Sequence, residues 1–195
     1  MATVNKLERL SVRDYLAGEL NSPVRHELVG GQPYAMVGAS NIHNLIAISL
    51  TANLRTHLSK GPCRVYMADM KVRVGDHFYY PDVAVSCVAD TGPFYFITAP
   101  VLVAEVLSPS TERQDRLEKW LAYQSLDSLQ EYVLIAQDQV RIDIYRRIAD
   151  GWEVELCAQG DLIRLRSVDY ELPVEALYEE VMDSLPRASG LPKAL

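Results

Sequence analysis

Glu105 is the residue whose surroundings most clearly suggest chemistry. It lies in PVLVAEVLS, an apolar run typical of a strand that is covered on both faces. A carboxylate in such a strand is desolvated unless it is paired or bound to a cation. Because side chains alternate along a strand, Glu105 is expected to share its face with Val103 and Leu107. An ion pair with a distant Arg or Lys is equally compatible with this pattern.

Asp82 is a second acid at a strand start. It follows Pro81 in FYYPDVAVSCV, where the missing N–H of proline is tolerated. Pro-Asp alone is more often only a turn or a strand start. Two carboxylates that enter neighbouring strands can nevertheless hold a hard divalent cation such as Mg²⁺, which prefers oxygen ligands. The stretch from 82 to 105 has room for one strand, a connection and the next strand.

A charged helix is expected directly after the strand of Glu105. In SPSTERQDRLEKWLAYQ, Asp115 and Lys119 are four residues apart on one face, with Tyr123 one turn further. Alone, such a pair is typical of an exposed ion pair worth about 0.3–0.5 kcal/mol. The face adjoins the predicted apolar stripe of the helix, so Lys119 could also point back over the sheet.

Five short motifs together resemble one family. In chain order they are HELVGG at 26–31, PD at 81–82, EVLSPST at 105–111, DRLEK at 115–119 and EYVLI at 131–135. They resemble the Uma-type restriction endonuclease family, within the PD-(D/E)XK nuclease superfamily. The resemblance spans roughly residues 10–150. It implies a mixed α+β (α/β) fold of the restriction-endonuclease-like type, with a central mixed sheet flanked by helices.

The resemblance also implies a metal site and an activity. Asp82 and Glu105 would be the catalytic, metal-binding acids, with the Val106 carbonyl as a third ligand. The implied cofactor is Mg²⁺, with Mn²⁺ as an alternative, and the implied partner is DNA. Glu27, in HELVGG, resembles a further acid that the family brings to the site, although a glutamate at a hairpin edge is more often solvated.

The lysine of the superfamily pattern is displaced in this sequence. The usual E-x-K motif would need lysine at position 107, where Leu107 stands. In this family the lysine has moved to the following helix, which makes Lys119 its counterpart. Lys119 would orient the attacking water or stabilise charge on the phosphate, and Asp115 or Tyr123 could hold it in place. His43 could approach the site, but a satisfied histidine is the more common case.

The overall charge narrows the classes of function. Nineteen Lys and Arg against 26 Asp and Glu give a net charge of −7. This disfavours a broadly basic coat for nucleic acid, although a bound cation can supply positive charge locally. The leading hypothesis is a Mg²⁺-dependent endodeoxyribonuclease, and cutting both strands of DNA favours a homodimer. The alternatives are a non-catalytic binding or oligomerisation module of the same fold, and hydrolysis of a different phosphoester.

Composition and local patterns predict one globular domain. We expect this domain over residues 1–185 and a flexible C-terminal tail over 186–195. With 49% hydrophobic and 23% charged residues, the composition excludes a disordered chain. The start lacks an apolar signal region and no run spans a membrane, so we expect a cytoplasmic protein without membrane association. Three cysteines without a C-x-x-C pair disfavour a disulfide framework and a zinc cluster, and favour a reducing compartment.

Turn and capping signals divide the chain into elements. A hairpin is predicted at Gly30-Gly31, and a capping-box helix is predicted to open at Thr111. The other predicted helices are 11–19, 40–60 and 173–185, and the predicted strands are 63–74, 79–88, 101–107, 131–136, 140–147 and 152–157. The buried stripe of the helix after Thr111 is predicted to be Leu117, Trp120 and Leu121.

Overall fold

The computed structural model describes residues 9–88, 95–109 and 111–185. Its helices are α1 (Val12–Glu19), α2 (Asn41–His57), α3 (a π-helical segment, Gln114–Lys119, continued by the α-helical turn Trp120–Tyr123) and α4 (Glu175–Tyr178). Its strands are β1 (His26–Val29), β2 (Gln32–Ala35), β3 (Arg64–Met67), β4 (Lys71–Val74), β5 (His77–Tyr79), β6 (Val83–Ser86), β7 (Phe96–Ile97), β8 (Pro100–Leu107), β9 (Glu131–Ala136), β10 (Arg141–Ile148), β11 (Gly151–Ala158), β12 (Leu162–Leu165) and β13 (Tyr170–Pro173).

A six-stranded mixed sheet forms the centre of the fold. Its strand order is β11-β10-β9-β8-β6-β3. β8 and β9 are parallel and are joined through α3, whereas the other neighbours are antiparallel. The predicted mixed α+β class, with a central mixed sheet and flanking helices, is therefore confirmed.

A five-stranded sheet of order β2-β1-β5-β4-β7 lies beside the central one, and β12 and β13 form a separate hairpin. The predicted turn at Gly30-Gly31 joins β1 and β2, with Val29 opposite Gln32. Both glycines have positive φ, 58° and 82°, as a two-residue turn of this kind requires. This tight turn sets the register of β1, which carries Glu27.

The two faces of the central sheet are buried under different elements. On one face Leu102, Ala104 and Val106 pack in the core that includes α2 and α4. On the other face Val103 and Leu107 pack with aromatic residues that include Tyr123 of α3. This alternation confirms the predicted period of two, and it directs Glu105 towards the α3 side of the sheet.

Several predicted elements have different bounds in the structure. The predicted strand 63–74 is divided between β3 and β4, which lie in different sheets, and the chain bends between them at Ala68, where φ is 36°. The predicted strand 79–88 is likewise divided between β5 and β6. The prediction of one closing helix over 173–185 is wrong, because this stretch holds the end of β13, α4 and a 3₁₀ turn at Met182–Ser184. The predicted tail at 186–195 lies outside the described residues.

The predicted buried stripe of α3 is wrong at two of its three positions. Trp120 is partly buried and packs against the aromatic core on this side of the sheet. Leu117 and Leu121 are 56% and 68% exposed, whereas Asp115, Lys119 and Tyr123 are buried. Arg113, the residue that precedes α3, makes no side-chain capping bond, and the Ser108 hydroxyl accepts a hydrogen bond from the Thr111 N–H further upstream. The hydrophobic pattern failed here because this helix buries its charged face.

The expectation that the cysteines form no disulfide framework is wrong for two of the three cysteines. Cys63 and Cys87 are joined, and Cys157 is a free, buried thiol. The antiparallel register of β3 and β6, with Arg64 opposite Ser86, brings the two cysteines to facing positions. Because a disulfide bond is present, the cysteines do not favour a reducing compartment. A cytoplasmic location stays a prediction. No helix within the described ranges is long and apolar enough to cross a membrane.

Glu131, in the EYVLI motif, is fully buried and stabilises the fold through a network of hydrogen bonds. Its carboxylate accepts hydrogen bonds from Arg146 Nε, from the Arg166 and Ser167 backbone N–H groups, and from the Ser167 hydroxyl, at 2.6–3.0 Å. We expect Glu131→Gln to lower the free energy of unfolding by about 3 kcal/mol, because the amide turns an acceptor into a donor that faces other donors. Urea denaturation measures this loss.

The matched control for that variant is Glu171→Gln. Glu171 makes an exposed ion pair with Arg164 at 2.9 Å, and both side chains are more than half exposed. Its loss should change the free energy of unfolding by no more than about 0.5 kcal/mol. Equal effects of the two substitutions would contradict the structural role of Glu131.

Candidate active site

Asp82 and Glu105 lie opposite each other at two neighbouring strands of the central sheet. β6 and β8 pair with Val83 opposite Ala104, so the next step of this antiparallel ladder brings Asp82 opposite Glu105. Both acids line a cavity of about 390 Å³, as do His43, Asp115 and Lys119. The two carboxylates that the sequence singled out thus lie at one site, together with the helix-borne lysine.

The carboxylate of Asp82 is held from two sides. His43 Nε2 lies 2.8 Å from Asp82 Oδ1, and the Val106 N–H donates to Asp82 Oδ2 at 2.7 Å. The Asp82 side chain is 22% exposed, so its carboxylate is accessible from the cavity. The contact of Val106 with this acid is made by its backbone N–H.

Lys119 lies among three buried carboxylates. Its Nζ is 3.1 Å from Glu105 Oε1, 3.1 Å from Asp115 Oδ1 and 3.2 Å from Glu27 Oε1. All four side chains are less than 10% exposed. The Asp115–Lys119 pair is therefore a buried part of the site and not the exposed ion pair that its spacing most often indicates.

The π-helical segment of α3 presents Asp115 and Lys119 to the sheet. The Tyr132 hydroxyl of β9 donates to the Asp115 carbonyl at 3.0 Å, which fixes this segment against the strand next to β8. Such π-helical turns are frequent at functional sites. Tyr123 continues the same face, but its hydroxyl has no hydrogen-bond partner among the described residues, so Asp115 alone of the two predicted residues holds Lys119.

Glu27 reaches the site from the five-stranded sheet. Its Oε1 accepts a hydrogen bond from the Tyr80 N–H at 3.1 Å, and its Oε2 lies 3.5 Å from Gln114 Nε2. Tyr80 directly follows β5, the neighbour of β1. The common case of a solvated hairpin glutamate does not apply here, because Glu27 is only 6% exposed.

Burial and charge shift the pKa values of this cluster. Desolvation raises the pKa of Glu105 well above its usual value. Lys119 lowers this pKa, and the carboxylates of Asp115, Asp82 and Glu27 raise it. Burial by itself lowers the pKa of Lys119, but Glu105, Glu27 and Asp115 raise it well above its usual value. The lysine is therefore an ammonium at neutral pH, while Glu105 binds a proton more readily than an exposed glutamate.

The donor chemistry of the cavity fits a hard cation. Within the described ranges, no group of three or more His, Cys, Asp or Glu side chains is arranged to hold a metal ion. Asp82 and Glu105 nevertheless provide two carboxylates, and Mg²⁺ is often bound by one or two carboxylates with water and substrate phosphate as its other ligands. The residues thus suit a divalent ion with a mostly open coordination shell.

Comparison with known proteins agrees with this geometry. The model of the Uma2 family, described as "Putative restriction endonuclease", matches residues 12–175. The chain belongs to the Uma2 family. The resemblance inferred from the five motifs is therefore confirmed, and the match covers both sheets and all the residues of the cavity.

Relatives of this Uma2 chain occur in Synechocystis sp. The uncharacterized protein slr1290 is 37% identical over 174 residues, which cover 87% of this chain and 92% of the relative. The uncharacterized protein sll1609 is 29% identical over 157 residues, which cover 77% and 88%. A crystal structure from Anabaena variabilis, described as a "putative nuclease belonging to DUF820", has a TM-score of 0.73 at 18% identity and covers 87% of this chain and 98% of that one. This last similarity establishes the shared fold.

The structure places the predicted residues together, and His43 lies beside them. The structure brings Asp82, Glu105, Lys119 and Glu27 to one place. Sequence reasoning undervalued His43, which contacts Asp82 directly. The available signal was its position three residues after Ser40, the N-cap of a helix that packs over the strands of both acids.

Proposed function

We propose that this Uma2 chain is a metal-dependent endodeoxyribonuclease that hydrolyses phosphodiester bonds. The observation that carries the proposal is that Asp82, Glu105 and Lys119 converge in one cavity. Two carboxylates can hold a Mg²⁺ ion, and an ammonium can stabilise negative charge that develops on a phosphate. Membership in a family described as restriction endonucleases supports nucleic acid as the substrate.

The carboxylates of Asp82 and Glu105 would hold the cation, with the Val106 carbonyl as the third protein ligand. Mg²⁺ is the proposed ion and Mn²⁺ the alternative. Such an ion supplies Lewis-acid activation of the phosphate and of the attacking water. It also provides positive charge, which the site needs because Lys119 is the one Lys or Arg among the described residues that line the cavity.

Lys119 would act on the phosphate and on the attacking water. Its ammonium is held by Glu27, Glu105 and Asp115, so it lies at a fixed place beside the proposed metal ligands. A fixed positive charge stabilises the charge that develops on the phosphate and costs no reorganisation during the reaction. Glu27 would complete the shell of the cation or act as a base. Cleavage of both strands needs two such sites, so we expect a homodimer.

Asp82→Asn tests the proposed function most directly. We expect metal-dependent cleavage of supercoiled plasmid to fall by about 10²- to 10³-fold, because the amide removes a charged ligand. The wild type should cleave with Mg²⁺ or Mn²⁺ and should not cleave with EDTA. Asp76→Asn, at an exposed aspartate 3.6 Å from Arg73, is the matched control and should leave cleavage unchanged.

Two outcomes would contradict the nuclease assignment. Cleavage that persists undiminished in Asp82→Asn would place the activity outside this cavity. A wild type that binds DNA in a salt-dependent manner but cuts nothing with either metal would favour the alternative, a non-catalytic module of the same fold.

A further inference from the structure

We propose that His43 is a positioning residue for Asp82 and carries its imidazole proton on Nε2. The proposal rests on the proposed function, because it assigns His43 the task of presenting Asp82 to a cation. His43 contributes no ligand of its own. It restricts the rotation of the carboxylate so that the remaining lone pairs of Asp82 face the cavity.

Both carboxylate oxygens of Asp82 make a short polar contact. Its Oδ2 accepts from the Val106 N–H at 2.7 Å, and its Oδ1 lies 2.8 Å from His43 Nε2. Two short contacts at different oxygens fix the plane of the carboxylate. Because Asp82 directly precedes β6, the bond to the Val106 N–H alone would leave its other carboxylate oxygen without a fixed position.

The surroundings of the two ring nitrogens of His43 determine its tautomer. Asp82 Oδ1 is an acceptor, so the hydrogen between the two atoms belongs to His43 Nε2. His43 Nδ1 is buried and has no hydrogen-bond partner among the described residues. At this position an unprotonated nitrogen costs less free energy than a buried N–H without an acceptor. The Nε2–H tautomer therefore fits both nitrogens, because it donates to Asp82 and leaves Nδ1 unprotonated.

Hydrogen bonds of Ser40 hold the backbone of His43 in place. The Ser40 hydroxyl accepts from the His43 N–H at 3.1 Å and donates to Gln137 Oε1 at 2.6 Å. Gln137 follows β9, so the first turn of α2 is tied to the end of a strand that neighbours β8. The backbone of His43 is therefore fixed, and its imidazole can keep a constant position beside Asp82.

Three substitutions of His43 separate this role from a merely structural one. Glutamine places its amide nitrogen where Nε2 stood, whereas asparagine reaches only as far as Nδ1, and alanine removes the donor. We expect Kd for Mn²⁺, measured by calorimetry, to rise about 10- to 100-fold in His43→Ala and His43→Asn. It should change less than about threefold in His43→Gln. The matched control, His57→Gln at the far end of α2, should leave Kd unchanged.

Cleavage and thermal unfolding complete the test. In His43→Ala, saturating Mn²⁺ should restore most of the rate, because the site is weakened and its chemistry is retained. A lower Tm with an unchanged Kd would mark a structural residue and overturn the proposal. The tautomer is read independently by ¹⁵N NMR of histidine-labelled apoprotein, where a signal from an Nδ1–H tautomer of His43 would also overturn it.

Failure of the proposed function gives a different result. In that case the wild type neither binds Mn²⁺ nor cleaves DNA, and the role of His43 in preparing a metal ligand is wrong together with the nuclease assignment. A wild type that binds Mn²⁺ and cleaves DNA, combined with an unchanged Kd in His43→Ala, overturns the inference about His43 alone.

Discussion

Glu105→Gln will remove metal-dependent cleavage, by about 10³-fold, and will leave a folded protein. Glutamine has the shape of the glutamate but cannot offer a charged oxygen to a cation. The fold survives because Lys119 keeps two other carboxylates, Glu27 and Asp115, at 3.2 and 3.1 Å. Plasmid cleavage at saturating Mg²⁺ measures the loss.

The same substitution has a predictable effect on stability. The pKa of Glu105 is raised in the folded state, chiefly by burial, so ionising this group favours unfolding. The wild type therefore loses stability from Glu105 as pH rises from its ordinary pKa through its raised one, and Glu105→Gln does not. We expect the Tm difference between Glu105→Gln and the wild type to shift in favour of the variant as pH rises through this interval.

Glu118→Gln is the control for both measurements. Glu118 is adjacent to Lys119 in sequence, but its side chain is exposed on the outer face of α3. Its substitution should change neither cleavage nor the pH dependence of Tm. Cleavage by Glu105→Gln at the wild-type rate would contradict the assignment of this glutamate as a metal ligand.

The placement of Glu105 could be predicted because a strand imposes a strict geometry. Alternation along β8 required Glu105 to lie with Val103 and Leu107, and all three are on the α3 side of the sheet. The meeting of Glu105 with Asp82 required in addition that their strands be neighbours. The family resemblance supplied that information, since the spacing of the two acids is compatible with other strand orders.

The face of α3 could not be predicted in the same way. Hydrophobic periodicity assigns the buried face to apolar residues, and it chose Leu117 and Leu121, which are exposed. The actual buried face is charged, because Lys119 forms ion pairs with Glu27 of one sheet and Glu105 of the other. Such partners are remote in sequence, and no local pattern reports them. The disulfide bond between Cys63 and Cys87 depends in the same way on the pairing of β3 with β6.

Lys119→Met will destabilise the protein more than any other single change at the site. It leaves Glu27, Glu105 and Asp115 buried together without the ammonium that all three contact. Removing one partner of a buried ionic cluster costs about 3–5 kcal/mol in the free energy of unfolding. Urea denaturation at neutral pH measures this loss, and Lys60→Met, at an exposed lysine, is the matched control.

The dependence of this loss on pH follows from the direction of the pKa shifts. The three carboxylates raise the pKa of Lys119, so the ammonium stabilises the wild type at neutral pH, and this contribution is lost only as pH rises through its raised pKa. In Lys119→Met the buried carboxylates can instead be neutralised by protons, so the difference from the wild type should shrink as pH falls. Equal stability of Lys119→Met and the wild type at neutral pH would contradict the ionic cluster.

A double variant and a divalent ion then distinguish lost packing from uncompensated charge. Adding Glu105→Gln to Lys119→Met removes one of the stranded charges, so the double variant should be more stable than Lys119→Met alone. Mn²⁺ should raise the Tm of Lys119→Met more than that of the wild type. A divalent cation can replace the missing ammonium, and it binds more tightly because the positive charge of the lysine no longer repels it. If neither addition restores stability, the loss comes from packing of the lysine side chain, and the negative charge of the cluster is not what draws a cation to this cavity.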